Sequence, residues 1–482
     1  MTTIDADIEA AINGLWILTA AILCFLLQAG FGLYEVGSVR EKNAQNIMLK
    51  NMMDVCVSAI AYWSVGYAFA WGDGNSYIGT QNFFLKDTQD FIFFFFQWVF
   101  AGTTATIVSG AVAERCRFRA YLIYSFWLCA FVYPVACHWA WHEEGWMFGH
   151  VFDYAGGGAV HMVGGGAAFA GAWVLGPRLG RYTFDPDTNK YTLNAIPGHN
   201  AVLAATGGLL LFLGFFPFNA GSGLNIVGDQ AVVTGRIAIV TALAGAGGGM
   251  VMLWLGMWYR KCCDLSYCMN GVLSGMVSVC SGCNTFQPWA GLFVGATGSL
   301  VFFAMATAME HPRVRIDDPL GASALHFGAG AWGMLMVGFL GDSDLIGDKA
   351  LSGILYGGDG TTLGWQVAGI LVYTVWALGT SLPLFYGLLV MGWFRVSEDA
   401  ELEGMDTHHH GGVAYPGDVF DKNTYHSRQV HVAGEVVEGE NGINEEEGGV
   451  DKGPEQAGKE PIVEASAPAQ ASGPAVLSPG AM

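Results

Sequence analysis

Charge is what this sequence has least of. Only 13% of its 482 residues are Asp, Glu, Lys or Arg, about half the ~25% usual in soluble globular chains. So few charges cannot clothe a water-facing surface on a chain this long, which argues against a soluble enzyme and against a solvated scaffold. Positive charge is scarcer still. The 21 Lys and Arg stand against 41 Asp and Glu, the wrong balance for a protein that must neutralise phosphates, so no nucleic-acid partner is expected. Met1–Ala11 has acids and no base, the wrong sign for the start of a cleavable signal peptide. The ten cysteines are scattered, and only Cys280 and Cys283 form a C-x-x-C. Without a second pair they read as small buried apolar side chains rather than a redox or metal site.

What the chain has instead is apolar length. Hydrophobic residues make up 52% and the mean hydropathy is +0.39, which places it among all-α polytopic membrane proteins in a lipid bilayer. Apolar stretches of spanning length recur eleven times, near 13–35, 52–72, 91–112, 119–140, 158–177, 199–220, 236–258, 266–282, 288–309, 322–341 and 364–394. The 69 glycines cluster inside them, as in Gly164–Gly166 and Gly247–Gly249, where small residues let helices pack closely.

The connections test this count. Arg40, Lys42, Lys50, Arg115, Arg117, Arg119, Arg178, Arg181, Lys190, Arg260, Lys261, Arg313, Arg315 and Arg395 all fall on one side, 14 bases in all, against Lys86, Arg236 and Lys349 on the other. The positive-inside rule then puts the N-terminus outside and the C-terminus in the cytosol. Eleven spans permit two five-span halves of opposite orientation, an inverted repeat, plus a final helix. Such folds place the substrate path between the halves near the midplane. Residues 1–395 form the eleven-span domain, and 396–420 a mixed apolar and charged segment expected to dock on the cytosolic face. Residues 421–482 form an acidic tail that reads as disordered from about 433. The tail explains most of the net charge, since residues 396–482 hold 17 acids and 4 bases.

Polar groups inside spans are costly and therefore functional candidates. His161 begins span 5 and His326 lies early in span 10, the last helix of each half. In an inverted repeat their imidazoles can meet near the midplane. The bland alternative for either alone is a satisfied packing histidine. Asp153, before Gly156–Gly158, reads first as a helix cap that orders the loop. Aromatics crowd the outer ends of several spans, among them Phe96, Phe100, Trp141, Phe215 and Phe218. An interfacial aromatic belt is the ordinary explanation; a cage for a small cation is the other, with the Ser222 hydroxyl able to complete it. His408–His410 read as incidental rather than as a metal site. No metal and no cofactor is expected.

These residues carry a resemblance. Asp153-Tyr-Ala-Gly-Gly-Gly-Ala-Val-His161, Gly110-Ala-Val-Ala-Glu-Arg115, Phe218-Asn-Ala-Gly-Ser222, Asp317-Asp-Pro with His326, and Gly404-Met-Asp-Thr-His-His-His-Gly-Gly412 together resemble the Amt/Mep/Rh ammonium transporter family, closest to its eukaryotic Amt branch. The resemblance implies eleven spans, an outside N-terminus, a homotrimer with one pore per subunit, and no enzymatic activity. It implies an outer ammonium site at Phe100, Trp141 and Ser222, a gate of stacked Phe100 and Phe218 with Phe96 beside it, and a twin-histidine pore at His161 and His326. Asp153 would be the structural carboxylate. Thr407 falls where plant relatives carry a phosphorylatable threonine, implying a kinase or signalling partner at the tail. The plasma membrane is the implied location. Two departures stand out: Phe215 replaces a common pore tryptophan, and Gly321 a common aspartate. The competing readings are a receptor of the same fold, signalling through its tail, and an intramembrane haem protein using His138, His161 or His326.

Overall fold

Backbone buried among apolar side chains must satisfy its N–H and C=O groups locally, and in a bilayer the helix is the way one chain segment can do so alone. The computed structural model describes residues 5–345, 347 and 352–415; the acidic tail 421–482 lies outside them. Among the described residues nine helical segments are long and apolar enough to span: Ala6–Ser38, Glu41–Trp71, Phe91–Ala111, Phe118–Trp141, Gly157–Leu175, Ala201–Gly221, Gln230–Tyr259, Pro288–Glu310 and Thr361–Val390. The protein is an all-α polytopic membrane protein; the strands among the described residues form two small hairpins in its connections, β1–β2 (Gly74–Asn75, Ile78–Gly79) and β3–β4 (Tyr182–Asp185, Lys190–Leu193).

The stretches at 266–282 and 322–341 form shorter helices, Leu265–Val277 and Ala324–Leu340. The first stops because the chain leaves the helix after Ser278 and runs as buried turns. Irregular backbone is tolerated there because protein satisfies it: the Tyr154 N–H donates to Ser281 O and the Ala155 N–H to Cys280 O, both at 2.9 Å. This also accounts for Cys280 and Cys283. Both are buried free thiols in a turn that braces the Asp153 loop.

The helices used below are α2 (Leu26–Ser38), which continues α1 (Ala6–Cys24), α3 (Ala44–Ala61), α5 (Phe91–Ala111), α8 (Val163–Leu175) and α9 (Ala201–Gly221). Among the described residues four segments wind as π-helix, Tyr62–Gly66, Leu128–Val132, Gly157–Met162 and Ala324–Gly328. Such turns are uncommon and often sit at functional sites. The last two each contain one of the two histidines picked out from the sequence.

The base-rich connections converge on a buried ion network. Arg178 bridges Glu114 at 2.7 Å and Asp317 at 2.8 Å, with both carboxylates fully buried. Arg40 reaches the other Glu114 oxygen at 2.9 Å, and Arg181 also meets Asp317. Burial pushes the Glu114 carboxyl up, but the Arg178 and Arg40 guanidiniums outweigh it and hold it at about 2. Burial likewise opposes ionisation of Asp317, and Arg115 and Arg178 hold it well below the usual carboxylate range. The segment after the last span seals this face. The Arg395 guanidinium pairs with Glu401 at 2.9 Å, and Glu401 accepts the Leu179 N–H at 2.7 Å. The Asp406 carboxylate accepts the Gln45 and Asn46 N–H groups at 2.9 and 2.8 Å. These are orphan donors at the start of α3, so a residue some 360 positions away serves as that helix's cap.

Candidate functional site

The site is a line of rings. At one end Trp141 meets Phe100 edge-on, centroids 6.3 Å apart. Phe100 stacks on Phe218 at 4.1 Å and an interplanar angle of 15°, with Phe96 beside it at 4.9 Å. Phe218 lies 5.4 Å from the His161 ring. His161 lies nearly parallel to His326, centroids 5.2 Å apart, and His326 faces Phe31 at 6.2 Å. Phe96, Phe100, Phe218, His161 and His326 are all buried.

Each ring is placed by a local cause. Phe96 and Phe100 are one turn apart on α5, so they share a face. Phe218 follows Pro217 near the end of α9. The Trp141 indole N–H donates to Asp153 O at 2.6 Å and the Ser222 hydroxyl to Phe218 O at 2.8 Å. Both protons are thus spent on backbone, leaving a ring face and oxygen lone pairs.

The histidines sit in matching turns. Asp153 Oδ2 accepts the Gly158 and Ala159 N–H groups at 3.0 and 2.9 Å, and its Oδ1 accepts the Ser281 hydroxyl at 3.0 Å. In the second turn Asp318 accepts the Ala322 and Ser323 N–H groups at 3.0 and 2.7 Å. Each aspartate is followed three residues on by a left-handed glycine, Gly156 (φ +86) and Gly321 (φ +69), and eight residues on by the histidine. An Asp-x-x-Gly-x-x-x-x-His pattern therefore occurs twice. The sequence reading saw Gly321 only as a departure. Here it is the residue whose backbone conformation most side chains resist. The two aspartates of Asp317-Asp318 also part company, one joining the ion network and the other capping the turn.

The imidazoles touch through Nδ1 atoms 3.1 Å apart. Between neutral rings this contact requires one Nδ1–H tautomer and one bare Nδ1. His161 Nε2 is buried with no hydrogen-bond partner among the described residues, and an unmet polar atom in such a place marks where another molecule can bind. Phe215, at the position of the common pore tryptophan, stacks over His161 at 5.7 Å. A macrocycle has no room between rings in hydrogen-bond contact, and both ring nitrogens of His138 are occupied by carbonyls, Ala70 O at 3.0 Å and Asn75 O at 2.8 Å. The geometry therefore disfavours haem ligation. Thr407 lies exposed on the short helix Met405–His410, next to the capping Asp406.

With this geometry in place, the chain can be set beside known proteins. The profile of the "Ammonium Transporter Family" matches residues 15–415. This chain belongs to that family. It is 39% identical over 439 residues to "Putative ammonium transporter 1" of Caenorhabditis elegans, covering 86% of this chain and 81% of the relative. It is 40% identical over 446 residues to "Ammonium transporter 1 member 3" of Solanum lycopersicum, covering 85% and 94%. Among solved structures, "Sensor Amt Protein" superposes with TM-score 0.77 at 32% identity, covering 84% of this chain and 100% of that one. Candida albicans Mep2 superposes with TM-score 0.72 at 26% identity, covering 80% and 86%. The family is one of membrane transporters rather than enzymes.

Sequence reasoning missed three residues in or beside this line of rings. Phe31 closes the ring line below His326, Asp318 orders the second histidine turn, and Glu35 lines the cavity beyond it. The first two carried findable signals: Phe31 falls on an apolar stripe, and Asp318 repeats the Asp153 spacing.

Proposed function

We propose that this protein carries ammonium across the plasma membrane. Ammonium is held outside by the faces of Phe100 and Trp141 with the Ser222 oxygen. It loses its proton near the stacked Phe100–Phe218 gate, and ammonia passes His161 and His326 to the cytosol. The observation that carries this reading is the buried run of apolar rings ending in two imidazoles 3.1 Å apart. A bare cation is expensive in such a path, about 3 kcal/mol or more at mid-membrane. Ammonium and potassium resemble each other as ions, so a carbonyl-lined filter could coordinate either. Only ammonium can shed its charge, and that difference supplies the selectivity.

The remaining parts of the reading follow. The N-terminus is extracellular, the base-rich face cytosolic, and the matching Asp-Gly-His turns belong to two inverted five-span halves. The working unit is a homotrimer with one pore per subunit. Phosphorylation of Thr407 by a cytosolic kinase would set a second negative charge beside Asp406 and loosen its hold on the start of α3.

The test is ammonium uptake and potassium exclusion by the reconstituted protein. His161→Ala with His326→Ala should abolish uptake or admit potassium; full uptake with unchanged exclusion sinks the reading. A receptor role is the second reading, favoured by the likeness to a sensor Amt protein. A null strain with normal uptake but no nitrogen response would support it.

A further inference from the structure

Below the histidines lies a small cavity of about 30 Å³, lined by Phe31, Tyr34, Glu35, Phe215, His326 and six apolar side chains with Gly110. Most of that wall is hydrocarbon. Glu35 is the carboxylate in it, 1% exposed, on a span, facing the same space as His326. It lies one turn beyond Phe31 on α2, about 6 Å along the axis, and Phe31 is the ring against His326.

Its hydrogen bonding is one-sided. Oε2 accepts the Asn51 amide at 2.7 Å and the Ser109 hydroxyl at 2.6 Å. Oε1 has no hydrogen bond among the described residues and is left to the cavity. The surrounding titratable groups are Lys50 and Asp54 from α3, Tyr121 from the span Phe118–Trp141, Tyr34 on its own helix, and His326. Each of the two nearest charges has its own partner. Lys50 donates to Cys116 O at 2.7 Å, and Asp54 accepts the Thr106 and Ser125 hydroxyls. Among the described residues that line this cavity, Glu35 is the acid, and it has an open oxygen.

We propose that Glu35 is the inner proton-exchange residue of the pore. This rests on the transport reading above. Ammonia arriving past His326 takes the Glu35 proton: an N–H bond forms as the carboxyl O–H breaks, and ammonium leaves the inner mouth. The carboxylate then regains a proton through the histidine pair, the same proton that ammonium released at the outer gate. One ammonia and one proton cross per cycle. Asn51 and Ser109 hold the carboxyl so that Oε1 stays turned to the cavity.

The test is the ratio of charge moved to ammonia moved, in liposomes holding the full chain. Current is recorded on a solid-supported membrane and ammonia entry by an internal pH dye. Glu35→Gln keeps an oxygen for Asn51 and Ser109 but cannot exchange a proton, and the ratio should fall at least tenfold; Glu35→Asp should restore part of it. Ser299→Ala, which removes a buried hydroxyl that donates to Ala296 O on its own helix and leaves Glu35 and its partners intact, should stay within twofold of wild type. A wild-type ratio in Glu35→Gln overturns the proposal, as does an equal fall in Ser299→Ala or wild-type ammonia flux carrying no charge. A wild-type protein that moves neither species defeats the transport reading instead.

Discussion

Replacing Gly165 by alanine should part the two histidines. Gly165 lies one turn beyond His161 on the same helical segment and faces Phe327, the residue after His326. A Cβ there would stand 2.3 Å from Phe327 N and 2.9 Å from Phe327 Cα. Both are backbone atoms, so no side chain can swing aside. Ordinary contact begins near 3.4 Å, so the two segments must separate by about 1.1 Å, the shortfall from 2.3 Å. Carried to the imidazoles, that opens the 3.1 Å Nδ1–Nδ1 contact to about 4 Å, beyond hydrogen-bond reach. Overpacking costs about 1–3 kcal/mol, and the lost buried hydrogen bond about 1 kcal/mol more. The expected result is a folded Gly165→Ala protein, about 2–4 kcal/mol less stable to SDS titration in mixed micelles, with ammonium uptake down at least ~tenfold. Gly379→Ala, whose Cβ would meet nothing within 4 Å, is the matched control and should behave as wild type. Wild-type uptake and stability in Gly165→Ala would refute the argument, because the approach of these two backbones would then not set the histidine spacing.

Arg178 is the guanidinium shared by two fully buried carboxylates, so Arg178→Ala should lose about 3–5 kcal/mol; an unchanged SDS midpoint would contradict this. The same network predicts an acid limb. Glu114 is held at about 2 against an ordinary 4.5, so its contribution, about 3 kcal/mol, is complete above pH 4.5 and lost as pH falls towards 2. Unfolding measured against pH should show this loss in wild type and a flatter limb in Glu114→Gln, and equal limbs would count against it. Thr407→Asp should cut uptake several-fold while Thr407→Ala stays near wild type; equal rates in the two variants would remove Thr407 from regulation.

Hydropathy and charge alternation made the class and most of the helices legible in sequence, because both depend on composition averaged over some twenty residues. The short helix Leu265–Val277 was not legible as such. Its truncation depends on buried turns at 278–287 that bond to a loop more than a hundred residues earlier, and hydropathy cannot separate buried turn from helix. Residues His161 and His326 were nameable because polar groups are rare within spans. Their contact needed three dimensions. Glu35 was passed over because it lies near a helix end, where a carboxylate looks like a surface residue; only the cavity and the packing of α3 and α5 reveal it as buried. The role of Asp406 as a cap for α3 is of the same kind, since nothing local in either segment announces the other.

The geometry of the histidine pair constrains what can use it. If both rings are neutral, one donates through Nδ1 and the other accepts. The donor ring then has a bare Nε2 and the acceptor ring carries its proton there. The two ends of the pair are therefore unlike at any instant, one an acceptor and one a donor. A proton taken up at one end and released at the other leaves both rings in the opposite tautomer, so a second passage in the same direction needs the rings to reset. The unmet Nε2 of His161 on the gate side can present either character to what comes past Phe218. Ammonia suits both, with three N–H donors and a lone pair. A potassium ion has no hydrogen to give and could only be met by a bare nitrogen, with its full charge still unpaired among phenyl rings. On the proposed reading the pair thus discriminates by hydrogen-bond chemistry where size and charge do not.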